Sequence, residues 1–211
     1  MGAPGVVVFD LGGVVIDWDP RHLYRKLFPD PSQMERFLSE VCTPEWNEGF
    51  DRGLPFQEGV ERLAAERPEW AEPIRAYRDR WPEMLAGTIP GAPELLRELR
   101  EEGVRLFALS NWSTETFRFA VDRFGILDLF EGILLSGQVG ATKPSIRLFQ
   151  AFLERFGLDP QGCVFVDDRP DNVQAARALG FRALTFRSAG GLRSDLVDLG
   201  LLGPGAEPDR R

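Results

Sequence analysis

The chain has 211 residues, 43% of them apolar, and 25 Lys+Arg set against 33 Asp+Glu give a formal net charge of −8. That length suits one large domain or a core with a modest insertion, and that apolar share excludes wholesale disorder. The acidic balance leaves no electrostatic footprint for nucleic acid or an anionic membrane surface, so an anionic substrate would need a local cation or a metal.

The first residues, Met1-Gly2-Ala3-Pro4-Gly5, lack the charged and apolar regions of a signal peptide. They run into Val6-Val7-Val8-Phe9, an apolar stretch that predicts a buried parallel strand ending at Asp10. From about 20 to 86 the rhythm changes. Residues 21–28, 31–41, 44–50, 56–66 and 69–85 are predicted helices with no strand between them. Thr43-Pro44 supplies a cap followed by proline at the first helical position. Trp46, Trp70 and Trp81 are expected to pack these helices together, and residues 87–91 form the expected return hinge. Such a helical insertion above a sheet is a natural lid.

After residue 90 helices and strands alternate. A helix over 93–102, with leucines at 95, 96 and 99, is stopped by Gly103. Strands are predicted at 104–109, 132–135, 164–166 and 183–186. Helices over 114–124 and 146–156 are capped by Ser113 and Ser145, and a further helix covers 171–179. This order implies a doubly wound α/β sheet. The expected division is a core of 1–17 and 88–202, an all-helical cap of 18–87 and a flexible tail of 203–211. Two cysteines, Cys42 and Cys163, form no CxxC pattern, so a reducing cytoplasm is the expected compartment. No stretch reaches the length of a membrane span.

Ligands of open α/β sheets bind beyond the carboxyl ends of the strands. Those ends carry Asp10, Ser110-Asn111 and Asp167-Asp168, with Lys143 in the loop after the 132–135 strand. Lys143 is one of only two lysines, the other being Lys26. Each residue has an ordinary reading taken singly: Asp10 as a turn or cap, Ser110-Asn111 as a turn and cap, Lys143 as a solvated loop residue. Together, carboxylates ending adjacent apolar strands require a cation, and Mg²⁺ is the usual answer to their repulsion. Gly12-Gly13 lets backbone approach a ligand closely.

These stretches, Val7 to Val15, Leu109-Ser110-Asn111, Lys143-Pro144 and Val164 to Asn172, resemble the four motifs of the haloacid dehalogenase-like hydrolase superfamily, in its branch with a helical cap after the first strand. The resemblance implies a Rossmann-like core with strand order 3-2-1-4-5. It implies that Asp10 attacks phosphorus to form an aspartyl-phosphate, that Ser110 binds a phosphoryl oxygen, and that Lys143 pairs with both. Mg²⁺ would be held by Asp10, the Gly12 carbonyl, Asp167 and Asp168. Asn111, Gly12, Gly13 and Trp112 complete the expected substrate and phosphate site, Trp112 at the pocket rim or in core–cap packing.

One position departs from the pattern. Most phosphatases of the superfamily carry an acid two residues after the nucleophile, and Gly12 stands there. General acid–base help is worth roughly 10²- to 10⁴-fold. Either the leaving group needs little protonation, or Asp17, Asp19 or His22 supplies the proton, or the substrate is not a phosphate ester. The Gly resembles that of a bacterial group including α-glucose-1-phosphate phosphatases. Arg21 and Arg52 can reach a substrate or sit on solvated helix faces, and Asp171 and Asn172 can cap the following helix or orient the acidic pair. The expected protein is a Mg²⁺-dependent phosphomonoester hydrolase of a small phosphorylated metabolite, monomeric or homodimeric. A 2-haloacid dehalogenase using Asp10 and a catalytically silent binding protein are the alternatives.

Overall fold

The computed structural model describes residues 5–204; most of the expected tail, 205–211, lies outside them. Seven strands occur among the described residues: β1 Val6–Phe9, β2 Ile16–Trp18, β3 Leu85–Thr88, β4 Arg105–Ser110, β5 Gly132–Leu135, β6 Cys163–Asp167 and β7 Arg182–Thr185. Five form one sheet in the order β5-β4-β1-β6-β7, and each adjacent pair is parallel. Numbered within that sheet the order is 3-2-1-4-5, as the resemblance implied.

β1 is the middle strand, buried along its whole length, which is why it reads as an unbroken apolar run. Alternate side chains divide between the two faces. Val7, Phe9, Leu106, Ala108, Val164 and Val166 belong to one apolar cluster. Val6, Val8, Phe107, Leu109 and Phe165 belong to the other. Helices Ala92–Glu101, Thr114–Arg123 and Ala189–Asp198 supply Leu96, Ala120 and Leu192 to the first face. Helices Ile146–Phe156 and Pro170–Ala178 supply Phe149, Phe152 and Val173 to the second.

Between β2 and β3 run helices Arg21–Tyr24, Pro31–Glu40, Pro44–Asp51, Phe56–Glu66 and Ala71–Asp79. No strand is predicted between these helices, and none lies there among the described residues, but the segment is bounded by two. β2 and β3 pair antiparallel, Ile16 opposite Thr88 and Asp17 opposite Gly87, so the chain leaves and re-enters the sheet side by side. Leu85-Ala86-Gly87-Thr88 has no strand periodicity of its own, and its partner lies some seventy residues away in sequence, so the pairing is a tertiary contact. The expected 69–85 helix is also broken. Ala71–Asp79 is flanked by 3₁₀ turns at Pro68–Trp70 and Trp81–Met84, because Pro82 lacks an N–H and constrains Trp81 before it.

Local capping follows the sequence in most places. Thr43 Oγ1 accepts from the Trp46 N–H at 3.2 Å, Ser113 Oγ accepts from the Glu115 N–H at 3.2 Å, and Gly103 adopts φ +75 after its helix. Ser145 stands at its helix N-cap but its hydroxyl makes no capping bond. No described helix is long and apolar enough to cross a membrane.

Phe50 stacks on Phe56 at 4.1 Å and seats against Gly59, locking helices Pro44–Asp51 and Phe56–Glu66 together. A Cβ on Gly59 would run into Phe50 Cε1, with Leu54 Cδ2 at 2.9 Å. Gly59→Ala is therefore expected to lower the urea-unfolding free energy by about 1–3 kcal/mol, although alanine is the better helix former by about 1 kcal/mol; unchanged or raised stability would contradict this packing.

Candidate active site

Parallel register brings the strand ends to one edge. Phe9 lies opposite Ala108 on one side and Val166 on the other, and the Asp10 N–H continues the ladder by donating to Val166 O at 2.8 Å. Asp10, Ser110 and Asp167 therefore share the carboxyl end of the sheet. Lys143 arrives from the loop after β5. Its backbone is clamped by the Asn111 side chain, which accepts from the Lys143 N–H at 2.8 Å and donates to the Lys143 carbonyl at 3.1 Å.

The Lys143 side chain is enclosed and spans two carboxylates, with Nζ 2.9 Å from Asp10 Oδ1 and 2.7 Å from Asp167 Oδ2. Asp10 Oδ1 also accepts from the Leu11 N–H at 2.7 Å and from Ser110 Oγ at 2.9 Å. Three donors thus hold Oδ1, and no described residue donates to Oδ2. Asp167 is wholly buried. Its Oδ1 accepts from the Arg169 N–H and from Asn172 Nδ2, both at 2.9 Å, and Asn172 Nδ2 also reaches Oδ2 at 3.1 Å. Asn172, for which capping was one expectation, therefore orients Asp167 instead.

Burial raises Asp10 to about 7, with Lys143 pulling it down and Asp167 and Asp168 pushing it up. Desolvation works against the Lys143 ammonium, but Asp10 and Asp167 outweigh it and hold its pKa above the ordinary value. Asp168 is raised by burial and by its neighbour Asp167. One oxygen from each of Asp10, Asp167 and Asp168 falls within 4.8 Å of the others. Three carboxylates and one ammonium leave this group net anionic. Its donors are hard oxygens with no imidazole or thiolate, and the neighbouring Asn172 Oδ1 is buried without a donor among the described residues. That set fits a hard divalent cation of the Mg²⁺ kind better than zinc. Gly13 is required beside it: its φ is +76, and a Cβ there would lie 2.8 Å from Asp168 Oδ2.

Above the strand ends opens a cavity of about 570 Å³, with Asp10, Gly12, Ser110 and Asp168 on its floor and Glu48, Asp51 and Tyr77 from the helical segment among its walls. Trp112, expected at the rim or in core–cap packing, does not line this cavity but borders a smaller one beside it with Gly12, Asp51 and Asn111. It is only 4% exposed, lies between Trp81 at 5.8 Å and Phe117 at 5.7 Å, and donates from Nε1 to Thr116 Oγ1. Its large ring is more favourably buried at the junction than exposed to the polar cavity. Trp81 correspondingly packs on Trp112 and Phe119, away from the other inserted tryptophans. Trp46 and Trp70 do pack the inserted helices, against Tyr77 and Phe37 respectively.

The polar residues near the start of the helical segment are largely paired among themselves. His22 Nε2 lies 3.0 Å from Asp17 Oδ1, and neither residue lines the large cavity. Asp19 does line it but accepts from the Arg21 N–H and guanidinium. Arg21 is further held by both Glu35 oxygens at 2.7 Å, and Arg52 by Glu48 and Thr142.

Sequence reading missed Asp51. Its carboxylate accepts from Asn47 Nδ2 at 3.0 Å, Asn47 Oδ1 accepts from the Tyr77 hydroxyl at 2.6 Å, and the Asp51 carbonyl accepts from Ser136 Oγ at 2.6 Å. Burial, then the charges of Glu48 and Asp10, raise Asp51 to about 7. The i, i+4 spacing of Asn47 and Asp51 was visible in the sequence, but nothing there said which way that face points.

Residues 4–180 match the family described as haloacid dehalogenase-like hydrolase. Phosphatase MT3486 of Mycobacterium tuberculosis (strain CDC 1551 / Oshkosh) is 30% identical over 217 aligned positions, covering 96% of this chain and 98% of its own. Haloacetate dehalogenase H-2 of Moraxella sp. (strain B) is 36% identical over 87 positions, 41% of this chain and 39% of its own. Among solved structures, the magnesium complex of the HAD family enzyme bt-2542 from Bacteroides thetaiotaomicron superposes with a TM-score of 0.72 at 22% identity, covering 93% of this chain and 99% of that one.

Removing the ammonium would strand two buried carboxylates. Lys143→Met is expected to cost about 3–5 kcal/mol of unfolding free energy in EDTA, and less with millimolar Mg²⁺; chemical denaturation under both conditions measures it, and equal stability to the parent in EDTA would refute the role of this contact.

Proposed function

Because the chain belongs to the haloacid dehalogenase-like hydrolases, we propose that it is a Mg²⁺-dependent phosphomonoester hydrolase that acts on a small phosphorylated metabolite through an aspartyl-phosphate on Asp10. The observation that carries this reading is the clustering of Asp10, Asp167 and Asp168 oxygens within 4.8 Å, beside a buried lysine. Halide leaves without a metal's help, whereas here both fourth-motif aspartates are kept beside Asp10, which favours phosphate chemistry.

In this mechanism Asp10 Oδ2, the oxygen without a protein donor, is the nucleophile. Its partner Oδ1 is held by Leu11 N–H, Ser110 and Lys143, which fixes the carboxylate plane before substrate arrives. A carboxylate approaching a phosphate dianion meets like-charge repulsion. Lys143 offsets it from within an apolar surround, where a fixed ammonium acts more strongly than in water. Ser110 Oγ, now on Asp10, is placed to turn to a phosphoryl oxygen. Asn111 acts on Lys143 by clamping its backbone, and Asn172 acts on Asp167. Mg²⁺ held by Asp10, the Gly12 carbonyl, Asp167 and Asp168 would supply further neutralisation of the transferring group.

We assign 1–17 and 88–202 to the catalytic core and 18–87 to a cap, the β2–β3 ribbon being where they join. The cap walls also bear on substrate. Asp19, Glu35, Glu45 and Glu48 line the cavity, and of its two arginines Arg21 is already paired while Arg169 stands next to Asp168 at the floor. A substrate whose non-phosphate part carries a second anion would be repelled, whereas a neutral hydroxyl-bearing group such as a sugar is not. A dehalogenase is the second reading, favoured by Gly12 and by the partial match to haloacetate dehalogenase H-2.

Asp10→Asn is expected to abolish phosphate release from p-nitrophenyl phosphate, and excess EDTA to suppress the parent's activity; hydrolysis that survives either treatment would refute the assignment, and halide release from 2-haloacids without metal would favour the alternative. Across a panel of monophosphates, neutral sugar phosphates are expected to exceed bisphosphates or phosphorylated carboxylic acids of equal size by about tenfold or more in kcat/KM; the reverse ranking would refute the acidic-wall selection.

A further inference from the structure

The reaction proposed above still lacks a proton donor for the leaving oxygen. Gly12 has no side chain, Asp17 and His22 face each other away from the large cavity, and Asp19 is occupied by Arg21. Asp51 remains. It lines the same cavity as Asp10 and Ser110, and it also lines a smaller adjoining cavity of about 50 Å³ together with Gly12 and Asn111. A Cβ added at Gly12 would meet nothing within 4 Å, so the space that an acid at position 12 would enter is open and borders Asp51.

Resting on the phosphate-ester reading, we propose that Asp51 of the helical segment is the general acid and base of this enzyme, entering from above the substrate in place of the side chain absent at position 12. Its carboxylate is aimed rather than free. Asn47 donates to it, Tyr77 fixes Asn47, and Ser136 of the core ties the Asp51 carbonyl, so helix and sheet edge are held at one spacing. As Asp10 bonds to phosphorus and the ester P–O bond breaks, the Asp51 carboxyl proton passes to the leaving oxygen and releases the alcohol. The Asp51 carboxylate then takes a proton from the water that attacks phosphorus. The Asp10–phosphorus bond breaks with its electrons returning to Asp10, inorganic phosphate leaves, and Asp51 is protonated again.

The starting acid must carry its proton. Glu48 on the same helix and Asp10 from the sheet edge both favour the protonated form, Tyr77 faces it as a neutral phenol, and Asp168 and Arg169 line the same cavity.

The test compares the parent, Asp51→Asn and the double variant Gly12→Asp/Asp51→Asn, all with Mg²⁺, on a neutral alkyl phosphate and on p-nitrophenyl phosphate. Asp51→Asn is expected to lose about 10²- to 10⁴-fold in kcat/KM on the alkyl phosphate and far less on the aryl ester, whose phenolate leaves without a proton. On the aryl ester it should show a burst of one p-nitrophenol per active site, then slow turnover as phosphorylated Asp10 accumulates. The double variant should recover at least tenfold on the alkyl phosphate. Rescue separates proton transfer from mere folding, since an acid at position 12 would not repair a collapsed helix. Alkyl phosphate turnover within threefold of the parent, or a loss that Gly12→Asp does not relieve, would overturn the role of Asp51 while the parent's phosphate release still upheld the hydrolase. A parent that releases no phosphate from either ester would overturn both.

Discussion

The site is organised around one buried ammonium. Lys143 stands between Asp10 and Asp167 with no water-exposed route for its charge, so its desolvation must be met by the two carboxylates it touches. Such a group is costly to assemble and more costly to disrupt, because each partner removed leaves an opposite charge stranded in low dielectric. The surrounding hydrogen bonds follow from that constraint. Asn111 clamps the lysine's backbone, Asn172 spans both oxygens of Asp167, and Ser110 with the Leu11 N–H holds the inner oxygen of Asp10. One oxygen of Asp10 is left turned out of this network, which is the geometry a nucleophile needs.

The parallel sheet makes the arrangement cheap in conformational terms. β4, β1 and β6 are adjacent and in register, so residues just past their apolar runs arrive together without any long loop having to be ordered. The helical segment is held differently. Its aromatic cluster, from Tyr24 and Phe37 to Phe50, Phe56 and Tyr77, is continuous with the sheet's first apolar face. The β2–β3 ribbon returns the chain beside its point of departure. Together these hold the acidic roof over the strand ends, and with it Asp51.

Acidity recurs on both sides of the cavity and has two consequences. At the floor it creates a demand for a divalent cation. In the roof it sets a sign preference for whatever lies beyond the phosphate, since the roof arginines are already committed to Glu35, Asp19 and Glu48. The overall charge of −8 thus describes the cavity wall as well as the surface.

The parallel sheet, the helical character of the inserted segment, and the placing of Asp10, Ser110 and Asp167 at strand ends with Lys143 in a following loop were legible in the residues, while the strand order and the pairing of Lys143 with Asp10 came with the resemblance of the four motifs. The former are legible because apolar strand runs and the turn residues that end them are local signals, and a parallel register converts them into position. Of the two places open to Trp112, the structure takes core–cap packing, because its aromatic neighbours Trp81 and Phe117 come from opposite sides of the junction. The β2–β3 ribbon was missed because its pairing joins residues remote in sequence, and only the structure decides between the two roles open to Asn172, since a residue at a helix start can cap it or reach the strand beside it. Asp51 could only be found in three dimensions. What raises its pKa and sets it in the cavity wall with Asp10 is the packing of a helix against a sheet, and no residue within that helix encodes which way that face points.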